Sequence, residues 1–279
     1  MKKTLTFCLF LFLVSCENYG QLTLISDLSN SLKEVSGNEI IANSNLIWMH
    51  NDSGNKSELF GVNLQGKIEK VVKVNAKNRD WEDITSDKKG NLYIGDFGNN
   101  NQKRKKLSIL KIANQDLLNS EEVEVQKISF EYPKLNAKKK VFFDAEAFFY
   151  HQNYFYILTK SRKKKNLGKT LLFKVPNKIG KHVAEFISEF TFCNQLDCRI
   201  TSADISKDGK KVVLLNHNAI FMLTAFTNDD FFSGKMKEIS LEHTSQKEGI
   251  CFKDDNTLLI TDEYSKHTKG NLYSFLISN

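Results

Sequence analysis

The sequence predicts an all-β fold, a five-bladed β-propeller closed by an N-terminal strand. Three observations predict it. A short polar, mostly acidic cluster recurs at Glu34-Val35-Ser36-Gly37, Asp80-Trp81-Glu82-Asp83, Asp144-Ala145-Glu146-Ala147, Thr201-Ser202-Ala203-Asp204 and Gln246-Lys247-Glu248-Gly249. Each cluster opens a strand-like run that is followed by a turn signal, a second apolar run and a closing polar residue. Repetition of this length in an all-β pattern is the signature of blades around an axis. Finally, the fifth repeat is one strand short, and a strand-like segment ahead of the first repeat can complete it.

Residues 1–20 read as a leader. Met1-Lys2-Lys3 is a charged start, and residues 5–14 form an apolar run too short to span a bilayer as a mature helix. Leu13-Val14-Ser15-Cys16 looks like a bacterial lipobox, which makes Cys16 the lipidated N-terminus. The chain is then an exported lipoprotein of the outer membrane or facing the periplasm, held by its lipid alone. Ordinary cleavage nearer Gly20 gives a soluble exported protein instead. Residues 21–279 are expected to form one domain and a monomer. No proline- or glycine-rich linker divides them, and the two prolines, Pro133 and Pro176, sit near strand ends.

Repeat one predicts strands at 34–41, 46–50, 59–64 and 68–74; repeat two at 81–86, 92–95, 107–112 and 125–132. Repeat three predicts 145–150, 154–159, 170–175 and 183–190; repeat four 203–206, 211–216, 219–224 and 236–241. Repeat five has 249–252, 257–261 and 271–277 only. Residues 22–28 supply its missing strand and close the ring, which removes exposed edges. Turn chemistry agrees: Lys89-Gly90-Asn91, Lys207-Asp208-Gly209 and Asp254-Asp255-Asn256 separate first from second strands. A β-sandwich and a six-bladed propeller with one degenerate blade remain as alternatives.

Cys193 and Cys198 flank a short loop and suit a local disulfide in an oxidising compartment; free thiols or, less naturally, a metal pair are the other readings. Cys251 lies in a strand pattern and reads as a buried thiol.

In a four-stranded blade the first strand lines the channel. The loop into strand one and the loop out of strand two therefore open on one face. The first set brings Glu34, Ser36, Asp80, Glu82, Asp83, Asp144, Glu146, Ser202, Asp204 and Glu248; the second brings Asp52, Asp96, Thr159, Asn216, His217, Asp262 and Glu263. Carboxylates about 4 Å apart repel by roughly 1 to 4 kcal/mol per pair, depending on the dielectric. Such a set calls for a cation or for raised pKa values. Hard oxygen ligands without clustered His or Cys suit Ca2+. The alternative is that these acids cap strand starts and bind backbone N–H groups between blades.

The formal net charge is +7. Lys77, Arg79, Lys103-Arg104-Lys105-Lys106, Lys138-Lys139-Lys140, Arg162-Lys163-Lys164-Lys165, Lys266 and Lys269 fall in loops of that face. A basic collar would steer an anionic small molecule inward; charge runs also serve simply as solvated loops. Specific nucleic-acid binding is not expected, because no element suited to reading a groove is present. Trp81 can stack on a ligand at the mouth or pack between blades, whereas Trp48 reads as core. His50 and His217 end second strands, and neither has a Ser or Cys partner in view.

Through Ser36, Glu82, Glu146 and Glu248 the chain resembles the calcium-activated nucleotidases (soluble apyrases). That resemblance implies a five-bladed propeller with an axial Ca2+ held by one Ser or Glu per blade, and Asp52 matches an acidic position of the family's nucleotide site. Repeat four departs from the pattern. Ala203 stands at the ligand position, with Ser202 and Asp204 beside it. The chain is also similar to uncharacterised exported bacterial propellers of the phytase-like or esterase-like kind. The shared pieces are Glu-x-Ser-Gly, Trp-Glu-Asp-Ile, Asp-Ala-Glu-Ala, Ser-Ala-Asp-Ile-Ser and Glu-Gly-Ile.

Two functions are consistent with these residues. One is a calcium-binding surface propeller that binds an anionic small molecule, an envelope protein or a glycan through Trp81, Lys160, Arg162, His217 and Glu263. The other is a calcium-dependent phosphoester or phosphoanhydride hydrolase with Asp52 or Asp96 as base.

Overall fold

A computed structural model describes residues 18–42, 44–134, 144–162, 166–193, 195, 198–265 and 269–277. Residues 1–17 of the leader, Cys16 among them, residues 138–140 and 163–165, and Lys266 lie outside them.

The chain forms a five-bladed β-propeller. Strand β1 (Thr23–Asp27) comes first and belongs to the last blade. Blade one follows as β2 (Val35–Ile40), β3 (Ile47–Asn51), β4 (Glu58–Val62) and β5 (Ile68–Val74). Blade two comprises β6 (Trp81–Ser86), β7 (Leu92–Asp96) and β8 (Leu107–Ile112); helix α1 (Asn114–Asn119) and the short β9 (Glu122–Val123) then precede its outer strand β10 (Gln126–Glu131). Blade three holds β11 (Asp144–His151), β12 (Tyr154–Lys160), β13 (Lys169–Pro176) and β15 (Glu185–Thr191), with β14 (Gly180–Val183) inserted before the last. Blade four is β16 (Ser202–Ile205), β17 (Lys211–Leu215), β18 (Ala219–Thr224) and β19 (Lys235–Ser240). In blade five, β20 (Lys247–Asp254), β21 (Thr257–Asp262) and β22 (Asn271–Leu276) are completed by β1, which pairs antiparallel with β22. The N-terminal closure expected from the short fifth repeat is therefore present.

Two strands depart from the simple blade plan. β9 pairs parallel with β5, and β14 pairs parallel with β10. Each is drawn from the connection between the third and fourth strands of one blade, and each covers the outer edge of the blade before it. The run expected as one strand at 183–190 is accordingly two strands in different blades. Ala184 marks the break, its N–H donating to the Glu131 carbonyl. Covering an edge in this way removes a site for unwanted pairing.

The core is five wedges, one between each pair of neighbouring blades. Trp48 and Trp81 fill the wedge between blades one and two with Leu59, Ile94 and Leu110. Phe97, Phe148, Phe155 and Phe173 fill the next. Gly90 and Gly209 adopt positive φ, +77° and +72°, in the turns after the first strands, a conformation that favours glycine. Cys193 and Cys198 form a disulfide with Cα atoms 5.6 Å apart, and Cys251 is a buried free thiol. Among the described residues, no helix is long and apolar enough to cross a membrane.

Candidate functional site

The inner strands β2, β6, β11, β16 and β20 begin at one mouth of the channel, here called the upper mouth. Four of them carry a β-bulge near that end. The pairing register shifts between Val35 and Gly37, between Trp81 and Ile84, between Ala145 and Ala147, and between Lys247 and Gly249. The extra residue in each case includes Ser36, Glu82, Glu146 or Glu248. A bulge re-aims a side chain, so the four positions are re-aimed together. Blade four has none: Ser202, Ala203 and Asp204 pair in unbroken register with Leu215, Leu214 and Val213. The irregular fourth repeat is thus a missing bulge residue.

The six expected metal ligands divide. Ser36 Oγ donates to the Glu82 carbonyl at 2.6 Å, joining blades one and two. Ser202 Oγ donates to Asp83 Oδ1 at 3.1 Å and accepts from the Ile250 N–H at 3.1 Å. Asp204 accepts the N–H groups of Ile205 and Phe252, both at 2.7 Å, and lines a cavity at the opposite, lower mouth. These three join blades to one another. Asp83 does the same, accepting from the backbone of Ile84, Phe148 and Ala203. Glu82, Glu146 and Glu248 keep their carboxylates at the upper mouth.

Carboxylates meet there in two groups that share Glu82. In one, ligand atoms of Glu82, Asp144 and Glu146 lie within 4.8 Å of one another; in the other, those of Asp52, Asp80 and Glu82 do. The first group carries its own cations from the end of β12. Lys160 Nζ pairs with Glu146 Oε2, and Arg162 reaches Asp144 through Nε and Glu146 Oε1 through Nη2 at 2.7 Å. Burial opposes the Lys160 ammonium, but the charges of Glu146 and Glu248 outweigh it and hold its pKa above the usual value. Burial likewise opposes the Glu146 carboxylate, yet Lys160 and Arg162 keep its pKa below the ordinary range.

The second group is compensated from farther away, by the charges of Arg104 and Arg162 at Asp80 and of Lys160 at Glu82. Its nearest organic cation is Arg104, whose Nη1 lies 4.0 Å from Asp80 Oδ2. Arg104 is otherwise committed, donating to Asp96 Oδ1 at 2.9 Å and to the carbonyls of Asp96 and Gly98. Glu82 is 4% exposed, and no described group donates a hydrogen bond to its carboxylate. Burial and the charges of Glu146, Asp52 and Asp80 push its pKa well up. Burial raises Asp52 to about 6 and, with Glu248 and Asp52 nearby, Glu263 to about 8. Gly98 packs directly on this group: a Cβ there would collide with Glu82 Oε1 and the Asp80 carboxylate. Asn78 fixes the approach of the two blades, donating to the carbonyls of Asn51 and Asp52 and accepting from the Trp81 N–H at 3.1 Å.

Two expected ligand contacts change. Trp81 is fully buried in the wedge, edge-to-face with His50 at 5.6 Å, so it presents no face to the mouth. Asp96 is buried and clamped by Arg104, so it is not free to act as a base. His217 Nε2 stands 3.4 Å from Glu248 Oε1, and Glu263 is half-buried beside the same acids. Lys77, Arg79, Lys103, Lys105 and Lys106 are exposed, and Lys269 pairs with Asp27 at 2.8 Å.

Sequence reasoning missed Lys247. It is fully buried, and its Nζ bonds the carbonyls of His217 and His243, His243 Nδ1 and Ser245 Oγ. Burial lowers its pKa to about 8. Only its place in the fifth acidic cluster marked it in the sequence.

The donor set of the Asp52 group fits a hard divalent cation. It offers carboxylate oxygens only, with no imidazole or thiolate, and Glu82 among them is buried. The symmetric axial set fits less well. Ser36 is committed to a backbone carbonyl and Glu146 already holds an ammonium and a guanidinium.

No family model matches the chain, and no curated protein matches it. Solved structures share its fold at low identity. Virginiamycin B lyase from Staphylococcus aureus is 15% identical, with 90% of this chain and 69% of that one covered and a TM-score of 0.44. A gluconolactonase from Xanthomonas campestris is 9% identical over 92% of this chain and 89% of its own, with a TM-score of 0.50. The aldose sugar dehydrogenase from Streptomyces coelicolor, in its PQQ-bound form, is 6% identical over 91% and 97%, with a TM-score of 0.51. The likenesses to the gluconolactonase and the sugar dehydrogenase show the fold, a β-propeller, and nothing finer. They lend no support to the resemblance to calcium-activated nucleotidases or phytases.

Proposed function

We propose that this chain is a calcium-binding propeller of the bacterial envelope whose upper mouth binds an anionic ligand. The observation that carries the proposal is the pairing of Glu82, buried without a hydrogen-bond donor, with Asp52 and Asp80 in one oxygen cluster. Three carboxylates at this spacing repel one another unless a cation joins them. Asp52, Asp80 and Glu82 would hold Ca2+, which when bound supplies a positive centre for an anionic oxygen. Beside them Arg162, half-buried and directed inward, adds a planar donor suited to phosphate or carboxylate. Export and lipid attachment at Cys16 rest on the charged and apolar start of the chain.

A phosphohydrolase is the second reading, and one observation favours it. Asp52, half-buried at the mouth, would with Asp80 and Glu82 hold a cation that polarises a phosphoryl oxygen when bound. In that reading Arg162 orients the anionic group.

The experiment is calorimetric titration with Ca2+, followed by titration of the Ca2+-loaded protein with ADP, ATP and phytate, and phosphate-release assays on the same compounds. Ca2+-dependent binding without turnover matches the binding protein. Ca2+-dependent phosphate release from any of these compounds matches the hydrolase. Absence of Ca2+ binding overturns both.

A further inference from the structure

The lower mouth, where the inner strands end, holds a cavity of ≈ 410 Å³. That size is within the range of small-molecule sites, roughly 300–1,000 Å³. Glu39 and Asp204 form its inner end, each 7% exposed. Glu39 accepts from Ser86 Oγ at 3.2 Å and from the Ile40 N–H. Asp204 accepts from the N–H groups of Ile205 and Phe252. Each carboxylate therefore keeps acceptor sites unused. No positive group offsets either of them; Asp204 and Asp83 instead add repulsion at Glu39. Buried carboxylates without a cation are costly. At the upper mouth the same problem is met by Lys160 and Arg162 from within the chain, and at the lower mouth nothing equivalent is present among the described residues.

The walls and rim narrow the chemistry of what fits. Ile41, Tyr150 and Phe252 line the same cavity as the two carboxylates. Lys88 and Lys207 stand at the rim, both exposed. The lining thus combines two buried carboxylates, apolar side chains and two exposed ammonium groups. A hydrated divalent cation matches the carboxylates but not the apolar side chains. A simple anion matches the rim but not the inner end.

We propose that the lower mouth is a second binding site, for a small zwitterion that directs a primary ammonium group to Glu39 and Asp204 and leaves its anionic end at Lys88 and Lys207. An aliphatic chain between the two ends lies along Ile41, Tyr150 and Phe252. The site is separate from the upper mouth and does not depend on a metal there.

The test is calorimetric titration of the Ca2+-saturated protein at neutral pH with three probes of equal chain length: 6-aminohexanoate, hexylamine and hexanoate. The expected order is 6-aminohexanoate tightest, hexylamine up to about tenfold weaker, and hexanoate without saturable binding. Glu39→Gln and Asp204→Asn are each expected to weaken 6-aminohexanoate at least about tenfold, with Glu82→Gln unchanged. Both lower-mouth variants remove a buried charge and should remain folded, which circular dichroism checks. If either failed to fold, the order of the three probes on the natural protein would still decide. Hexanoate binding as tightly as the amines, no saturable binding of either amine, or unchanged binding in both folded variants would each overturn the proposal. So would competition by added Ca2+ beyond that needed to saturate the upper mouth.

Discussion

Lys160 Nζ and Glu146 Oε2 form an ion pair in which both side chains are almost wholly buried, 6% and 8% exposed. The pair sits where the inner strands of the propeller converge, so the channel mouth contains a cation supplied by the chain. Removing one partner of a buried pair typically costs about 3–5 kcal/mol, because the other charge is left stranded. Arg162 still contacts Glu146, so Lys160→Met is expected near the lower end, about 3 kcal/mol. Urea denaturation measures it. The double variant Lys160→Met, Glu146→Gln should recover more than half of that loss, and a single variant as stable as the natural protein would show that the pair contributes nothing.

Gly98 gives a prediction about space. Its backbone needs no special φ, so Gly98→Ala introduces no backbone strain. Its new methyl group collides with Glu82 Oε1 and the Asp80 carboxylate. Ca2+ affinity should fall at least about tenfold, equivalent to about 1.4 kcal/mol. Calorimetry on a variant shown to be folded checks this, and full affinity would place the ion elsewhere.

The pH dependence of stability should run opposite to that of a protein held together by ion-paired carboxylates. Burial raises Asp204 from 3.8 to about 7 and Asp52 to about 6, and pushes Glu39, Glu82 and Asp83 well up. A carboxyl whose folded pKa is raised binds its proton more tightly in the folded state. Its contribution is fully present below the unfolded value and is lost as pH rises through the folded one. The Ca2+-free protein should therefore melt at a higher temperature at pH 5 than at pH 8. Between those two pH values Asp204 crosses about two pKa units, a change of the order of 3 kcal/mol at 1.36 kcal/mol per unit. Glu146, whose pKa is lowered, acts below this window. Asp204→Asn should flatten the slope, and an unchanged slope would remove Asp204 as its source.

The blade count and the closure by residues 22–28 were legible because alternation and turn residues are local signals. The acidic clusters also marked the inner strand starts. What stayed hidden is non-local. Nothing in residues 180–191 says that the first part pairs with blade two and the second with blade three, since alternation continues through both. The bulges were invisible too. One extra residue in a strand leaves composition unchanged but turns Glu82, Glu146 and Glu248 to the mouth, while Asp204, without a bulge before it, turns to the other end. Lys160 and Arg162 were legible as basic loop residues; that they fold inward onto Asp144 and Glu146 depends on where β12 ends relative to β11.

Ca2+ titration of the natural protein and of Glu82→Gln, followed by thermal melting, bears most directly on the upper mouth. The natural protein should gain stability with Ca2+, by about 2.7 kcal/mol at a hundredfold excess over Kd. Glu82→Gln should fold and lose most of that gain. An absent Ca2+ response in the natural protein, or the same response in the variant, would contradict a cation site built on Asp52, Asp80 and Glu82.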